Sequence, residues 1–138
     1  MKEHFISRLM DAEVKELPYK HVYLTRAFPQ DYYKLMLEQL PSDECYTDRT
    51  FDTRAMAHTI DLGQFWKDLT GWMCNRDVIK TILEVFELKP ETLRLDIRLV
   101  RDSKGYKIKP HTDIKAKLLS LLFYLPSDED HPEGGTTV

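Results

Sequence analysis

The sequence LRLDIRLV, from Leu93 to Val100, decides the fold class, because its apolar and polar residues alternate with a period of two. That period is typical of a half-buried β-strand, in which successive side chains point to opposite faces. The same period predicts two further strands, over residues 106–113 and 117–125, and residues 102–105 carry the signal of the turn before them. A further strand is predicted to begin at Gly134, after an acidic loop.

The part of the chain before this strand has mainly helical signals. Helices are predicted over residues 29–40, which begin with a proline, over residues 64–73, and from an N-cap at Asn75 to a point before Pro90. Both tryptophans lie in the apolar stripe of the second helix and are expected in the core. Residues 22–24 are predicted to form a short strand, and the aperiodic residues 41–61 suggest a substrate-covering loop.

Helices followed by antiparallel strands indicate an α+β or mostly-β fold rather than alternating βαβ units. A chain of 138 residues suits one domain over residues 1–138, with a helical part over about 1–90 and strands over about 93–138. The strand that begins at Gly134 ends with the chain, so the domain is expected to be the first part of a longer polypeptide. Such a sheet edge also invites pairing in a homo-oligomer.

Composition excludes several classes of protein. A net charge of −3 disfavours nucleic acid as a partner, since proteins that coat a duplex carry a basic excess. The longest apolar stretch, Leu118 to Leu125, is far shorter than the roughly 20 residues that span a bilayer, and residues 1–4 lack the apolar segment expected of a secretory signal. Cys45 and Cys74 form no metal or disulfide pattern, which favours a reducing, cytoplasmic location.

One histidine stands beside a carboxylate in a predicted strand. His111 and Asp113 are two residues apart, so in a strand both side chains point to one face. An imidazole and a carboxylate are two of the three ligands in a facial triad for Fe(II), although Zn and Mn accept the same donors. The alternative is an exposed pair at a strand end. His131 lies in the acidic loop and is expected to be solvated, and His4, His21 and His58 lack a partner at metal-ligand spacing.

The assembled pattern resembles the 2-oxoglutarate and Fe(II)-dependent dioxygenases, nearest to their prolyl-4-hydroxylase-like branch. Residues 105–113, GYKIKPHTD, are followed by a spacer, then LLSLLFYLP over 118–126, an acidic loop and two glycines. The resemblance covers residues 93–138 and, more loosely, the helices before them. It implies helices packed on the first strands of a double-stranded β-helix, or jelly-roll, whose C-terminal half lies beyond residue 138.

The resemblance also implies a site. His111 and Asp113 match the family's first two iron ligands, and Tyr124 matches a position that hydrogen-bonds 2-oxoglutarate. The implied reaction uses Fe(II), O2 and 2-oxoglutarate to hydroxylate an unactivated C–H bond in a small molecule or a protein side chain. The second histidine ligand and the Arg or Lys that binds 2-oxoglutarate would lie after Val138, while Arg98 and Arg101 are expected to face solvent.

Two other functions remain open from the residues alone. A non-catalytic β-helix, acting as a metal-binding or interaction module, needs neither of the missing downstream residues. A cupin-like metalloenzyme needs a ligand set richer in histidine than His111 and Asp113. The substrate is not indicated by any residue of the chain.

Overall fold

A computed structural model describes residues 1–46, 54–102, 106, 109 and 111–125, with backbone alone for Arg54 and Ile60. Within these residues the chain forms a small α+β fold with four helices and two antiparallel two-stranded sheets. The helices are α1 (Lys2–Met10), α2 (Gln30–Glu38), α3 (Gly63–Met73) and α4 (Arg76–Val85), and the strands are β1 (Val14–Lys15), β2 (His21–Val22), β3 (Arg54–His58) and β4 (Arg98–Asp102). Short 3-10 segments cover Asp43–Cys45 and Thr59–Asp61.

The three predicted helices are confirmed: α2 and α3 begin and end within two residues of the predicted bounds, and α4 ends at Val85, five residues before Pro90. Helix α2 follows Pro29, and α4 starts at the predicted cap, where the Asn75 side chain accepts a hydrogen bond of 2.9 Å from the Asp77 amide. That bond satisfies one of the free amides of the first turn. Among the described residues no helix is both long and apolar enough to cross a membrane.

The core consists of two clusters that the helices share. Phe5 of α1 and Val78 of α4 are fully buried in one, and Trp66 of α3 lies in the other. The aromatic stripe is therefore core, as predicted, although Trp72 is only partly buried. The indole of Trp66 also donates a hydrogen bond of 2.7 Å to the Gln39 carbonyl, which fixes α3 against the end of α2.

The main sheet differs from the predicted one in its partner strand. Strand β4 pairs antiparallel with β3, from Arg54 opposite Asp102 to His58 opposite Arg98. Residues 54–61 are therefore structural, and the interpretation of all of 41–61 as a substrate-covering loop is wrong; residues 47–53 lie outside the described part. Strand β3 has only five residues, so β4 covers 98–102 rather than 93–100.

The alternation inside the 93–100 stretch is only partly expressed as burial. Ile97 and Leu99 are half-buried against the core, as predicted. Leu93 and Leu95 remain 47% and 41% exposed, because the chain there runs past the end of β3 and gains no neighbouring strand among the described residues.

A buried threonine joins this sheet to α3. Thr59 is 1% exposed, and its hydroxyl lies 2.7 Å from the Thr70 hydroxyl and donates to the Ile97 carbonyl at 3.2 Å. Its amide donates to the same carbonyl at 3.3 Å. A buried hydroxyl that is fully hydrogen-bonded avoids the desolvation penalty of an unpaired one. These hydrogen bonds therefore hold the end of the β3–β4 sheet against α3.

The predicted strand over 117–125 is not assigned as a strand in the described structure, although its alternation is present. Leu119, Leu121 and Phe123 pack onto the two core clusters, while Leu122 and Tyr124 are 64% and 53% exposed. The burial of these side chains therefore alternates with the predicted period of two, although the backbone of this segment forms no strand within the described residues. The described residues of the predicted strand over 106–113, which are 106, 109 and 111–113, do not form a strand either. The other residues of that strand, the acidic loop with His131 and the strand from Gly134 lie outside the described residues.

An ion pair links the first helix to the fourth and predicts a pH effect. The Lys2 ammonium lies 2.9 Å from the Asp77 carboxylate and, by hydrogen bonding and charge, lowers the pKa of Asp77 below its usual 3.8. A carboxyl group with a lowered pKa stabilises the fold above its unfolded pKa and loses that contribution as pH falls through the folded value. The stability difference between wild type and Asp77→Asn should therefore be constant near neutrality and disappear under more acidic conditions.

Urea unfolding of both proteins at pH 7, 5 and 3 measures this difference, with the helix-dipole contribution of Asp77 included in it. An unchanged difference at pH 3 would show that the carboxylate charge is not the cause.

Candidate metal-binding site

A tight turn shapes the segment that contains both predicted metal ligands. The Lys117 amide donates a hydrogen bond of 2.9 Å to the Ile114 carbonyl. This turn folds the chain back, so that the side chain of Lys117 reaches Asp113, four residues earlier. The site is therefore local, and a reversal of the chain positions its charges.

The ring of His111 is oriented by a backbone carbonyl two residues earlier in the chain. Its Nδ1 lies 2.9 Å from the Lys109 carbonyl oxygen. A carbonyl oxygen only accepts hydrogen bonds, so Nδ1 is the protonated nitrogen, and in the neutral ring Nε2 carries the lone pair. Metal-ligating histidines commonly donate their second nitrogen in this way. The exposed ring of His111 thus has Nε2 available, with no partner among the described residues.

The carboxylate of Asp113 is held on one side only. Lys117 Nζ lies 3.0 Å from Oδ2, and the Ser120 hydroxyl donates to the same oxygen at 3.3 Å. The hydrogen bond and charge of Lys117 lower the pKa of Asp113 below 3.8, with smaller contributions from Ser120 and from the nearby His111. Asp113 is therefore ionised at neutral pH, and Oδ1 has no partner within the described part of the chain.

These two donors fit a metal such as Fe(II), Mn or Zn in their chemistry. One imidazole nitrogen with a lone pair and one carboxylate oxygen lie two residues apart on an exposed segment. The described residues contain no group of three or more His, Cys, Asp or Glu that could hold a metal ion, so these two donors alone do not make a complete site there. Any third protein ligand would have to come from outside the described residues.

Tyr124 is the third residue of the predicted site. Its side chain is 53% exposed, and it is a hydrogen-bond partner of neither His111 nor Asp113. The role in 2-oxoglutarate binding that the resemblance implies for Tyr124 remains a prediction.

A second histidine–carboxylate pair occurs at the end of the main sheet. His58 Nδ1 lies 3.5 Å from Asp96 Oδ1, while the guanidinium of Arg98 binds Asp96 Oδ2 at 2.9 and 3.0 Å. Sequence spacing could not indicate this pair, because the two residues are 38 positions apart and meet through the β3–β4 pairing. The carboxylate of Asp96 is largely engaged by Arg98, whose hydrogen bond lowers the pKa of Asp96.

The two arginines of β4 behave differently. Arg98 is exposed, as expected. Arg101 is half-buried: it forms an ion pair with Asp43, and its guanidinium lies 5.1 Å from the centre of the Tyr46 ring. The side chains of Arg98 and Arg101 are similarly exposed, at 36% and 34%, and Arg101 differs in that it contacts the segment after α2.

Two other histidines bind backbone carbonyls, as structural residues do. His4 contacts the Arg26 carbonyl at 2.9 Å, and His21 contacts the Tyr19 carbonyl at 2.8 Å.

A groove of about 890 Å³ runs along the outer side of α4, lined in part by Cys74, and contains none of the predicted site residues.

Comparison of the chain with protein-family models, with curated proteins and with solved structures found no match.

Proposed function

We propose that this chain carries the first two metal ligands of an Fe(II)- and 2-oxoglutarate-dependent oxygenase that hydroxylates an unactivated C–H bond. One observation carries the proposal: in His111 and in Asp113, one side-chain atom is hydrogen-bonded to the protein, and the other is available to bind a metal ion. Nδ1 of His111 and Oδ2 of Asp113 are engaged, while Nε2 and Oδ1 have no partner among the described residues. This arrangement is the one in which neighbouring groups orient a ligand without occupying it.

His111 would bind the iron through Nε2 and Asp113 through Oδ1. When bound, Fe(II) supplies activation of O2 coupled to the oxidative decarboxylation of 2-oxoglutarate to succinate and CO2. The chain's own part is to orient these donors: the Lys109 carbonyl fixes the ring of His111, and Lys117 with Ser120 fixes the carboxylate. In this proposal a third ligand and a cation for 2-oxoglutarate are supplied from outside the described residues, and Tyr124 hydrogen-bonds the cosubstrate.

The proposed finer fold is the start of a jelly-roll. Its support is the alternating burial of residues 117–125, whose inward side chains cover both core clusters while the outward ones remain exposed. That pattern is typical of a strand on the inner sheet of a two-layer fold.

A non-catalytic interaction or metal-binding module is the second candidate function. It is favoured by large apolar side chains that are exposed in this part of the chain: Ile114, directly after Asp113, at 75%, and Leu122 at 64%. Exposed apolar surface of this kind marks contact sites when it is contiguous.

Succinate formation distinguishes the two functions. The protein as isolated from its source, with its intact mass compared with 16.3 kDa, is incubated with 2-oxoglutarate and ascorbate, with and without Fe(II). The oxygenase predicts succinate that requires Fe(II), even without the true substrate, at a low uncoupled rate. An absence of Fe(II)-dependent succinate, in protein that binds metal through His111, would favour the non-catalytic module.

A further inference from the structure

We infer that Lys117 is a resident counter-ion that sets the metal affinity of this site by competing with the metal for the charge of Asp113. The inference rests on the proposed function, since it assumes that His111 and Asp113 bind a divalent cation. It adds a residue that ordinary ligand patterns do not include and assigns it a direction of effect.

The Lys117 ammonium lies where its positive charge would repel a metal ion bound to Asp113. Lys117 Nζ lies 3.0 Å from Oδ2 of Asp113, and the two side chains are about equally exposed, at 46% and 47%. A divalent cation on Oδ1 would face this ammonium across a single carboxylate group. The two cations repel each other, and each lowers the attraction of the carboxylate for the other.

Ser120 makes it possible to distinguish the orientation of the Asp113 carboxylate from the effect of the Lys117 charge. Its hydroxyl donates to the same Oδ2 at 3.3 Å, so it restrains the carboxylate without adding a positive charge. If Lys117 is removed, Ser120 still holds the carboxylate, and the repulsion is gone. Loss of the lysine charge should therefore increase metal affinity rather than reduce it.

The test measures Mn²⁺ affinity from the electron paramagnetic resonance signal of the free ion, at low ionic strength. We expect Lys117→Met to bind Mn²⁺ about five- to tenfold more tightly than wild type, from the Coulomb interaction of one charge with a divalent ion in a water-like medium. The gain should shrink as salt is added, because salt screens exposed charges. Lys117→Arg, which keeps the charge, should bind within about twofold of wild type.

Lys115→Met is the matched control. Lys115 is an exposed lysine on the same turn with no ion pair in the described part of the chain, so its removal changes net charge equally but not the contact with Asp113. We expect a clearly smaller gain for it than for Lys117→Met, since the ammonium in direct contact with the Asp113 carboxylate is that of Lys117.

Three results would overturn the inference, each in a different way. If His111→Ala abolishes Mn²⁺ binding while Lys117→Met binds no more tightly than wild type, the role of Lys117 is wrong and the metal site stands. If His111→Ala and Asp113→Ala bind Mn²⁺ as wild type does, the metal site fails as well. An equal gain in Lys117→Met and Lys115→Met would show a general charge effect and would also contradict the specific role of Lys117.

Discussion

Replacing Asp113 with alanine is expected to lower Fe(II)-dependent succinate formation on the order of 100-fold or more, because loss of an outer-shell partner alone commonly costs about 10–100-fold. The substitution removes the only negatively charged donor of the proposed pair. Its effect on stability should be small, since the side chain is about half exposed and its ion pair with Lys117 is a surface pair. Urea unfolding of the variant measures that stability separately from activity.

Asp96→Ala is the control for this prediction. Asp96 also lies beside a histidine, His58, and is comparably exposed. Succinate formation should be nearly unchanged in Asp96→Ala. A loss of activity in Asp96→Ala with activity retained in Asp113→Ala would move the metal site to the end of the main sheet.

Replacing Phe5 with alanine is expected to lower the free energy of unfolding by about 3–5 kcal/mol, the usual cost of removing a buried aromatic side chain. Phe5 is 0% exposed, and its ring centre lies 5.6 Å from that of Trp72 and 6.1 Å from that of Phe123. It thus connects α1 and α3 with the segment before residue 125. Because a native domain is commonly stable by only about 5–15 kcal/mol, this loss is a large part of the total and should lower the urea midpoint of unfolding markedly.

Met10→Ala is the matched control, because Met10 lies in the same helix and is 68% exposed. Its cost should stay within about 0.5 kcal/mol, as for most surface substitutions. Both variants are compared with wild type by urea unfolding followed by circular dichroism. A cost below about 1 kcal/mol for Phe5→Ala would show that α1 does not pack on the core as described, because full burial of such a side chain is worth more than that.

The sequence predicted those parts of the fold that depend on local signals. The N-cap at Asn75, the proline before α2 and the apolar stripe of α3 each act within one or two helical turns, and all are confirmed. Helix α1 carries its two buried residues, Phe5 and Leu9, at a helical spacing of four, but this short signal was not specific enough to predict a helix.

Long-range pairing could not be predicted. Strand β3 lies in a stretch without a clear period, and it pairs with β4 about 40 residues later, so no local signal indicated it. The same holds for the His58–Asp96 contact and for the contact of Arg101 with the segment after α2, which follow from that pairing. By contrast, the surroundings of His111 and Asp113 arise within one turn, yet the ion pair between Lys117 and Asp113 could not be predicted, since spacing alone does not show which carboxylate oxygen the lysine contacts.

Mn²⁺ binding to wild type and to His111→Ala tests the central claim most directly, because it requires neither the substrate nor turnover. The free-ion electron paramagnetic resonance signal is recorded during titration of each protein, with His4→Ala as a control for loss of a histidine whose ring is bound to a backbone carbonyl. The proposed site predicts saturable binding by wild type and His4→Ala, and loss of that binding in His111→Ala. Equal binding by His111→Ala and wild type would contradict it.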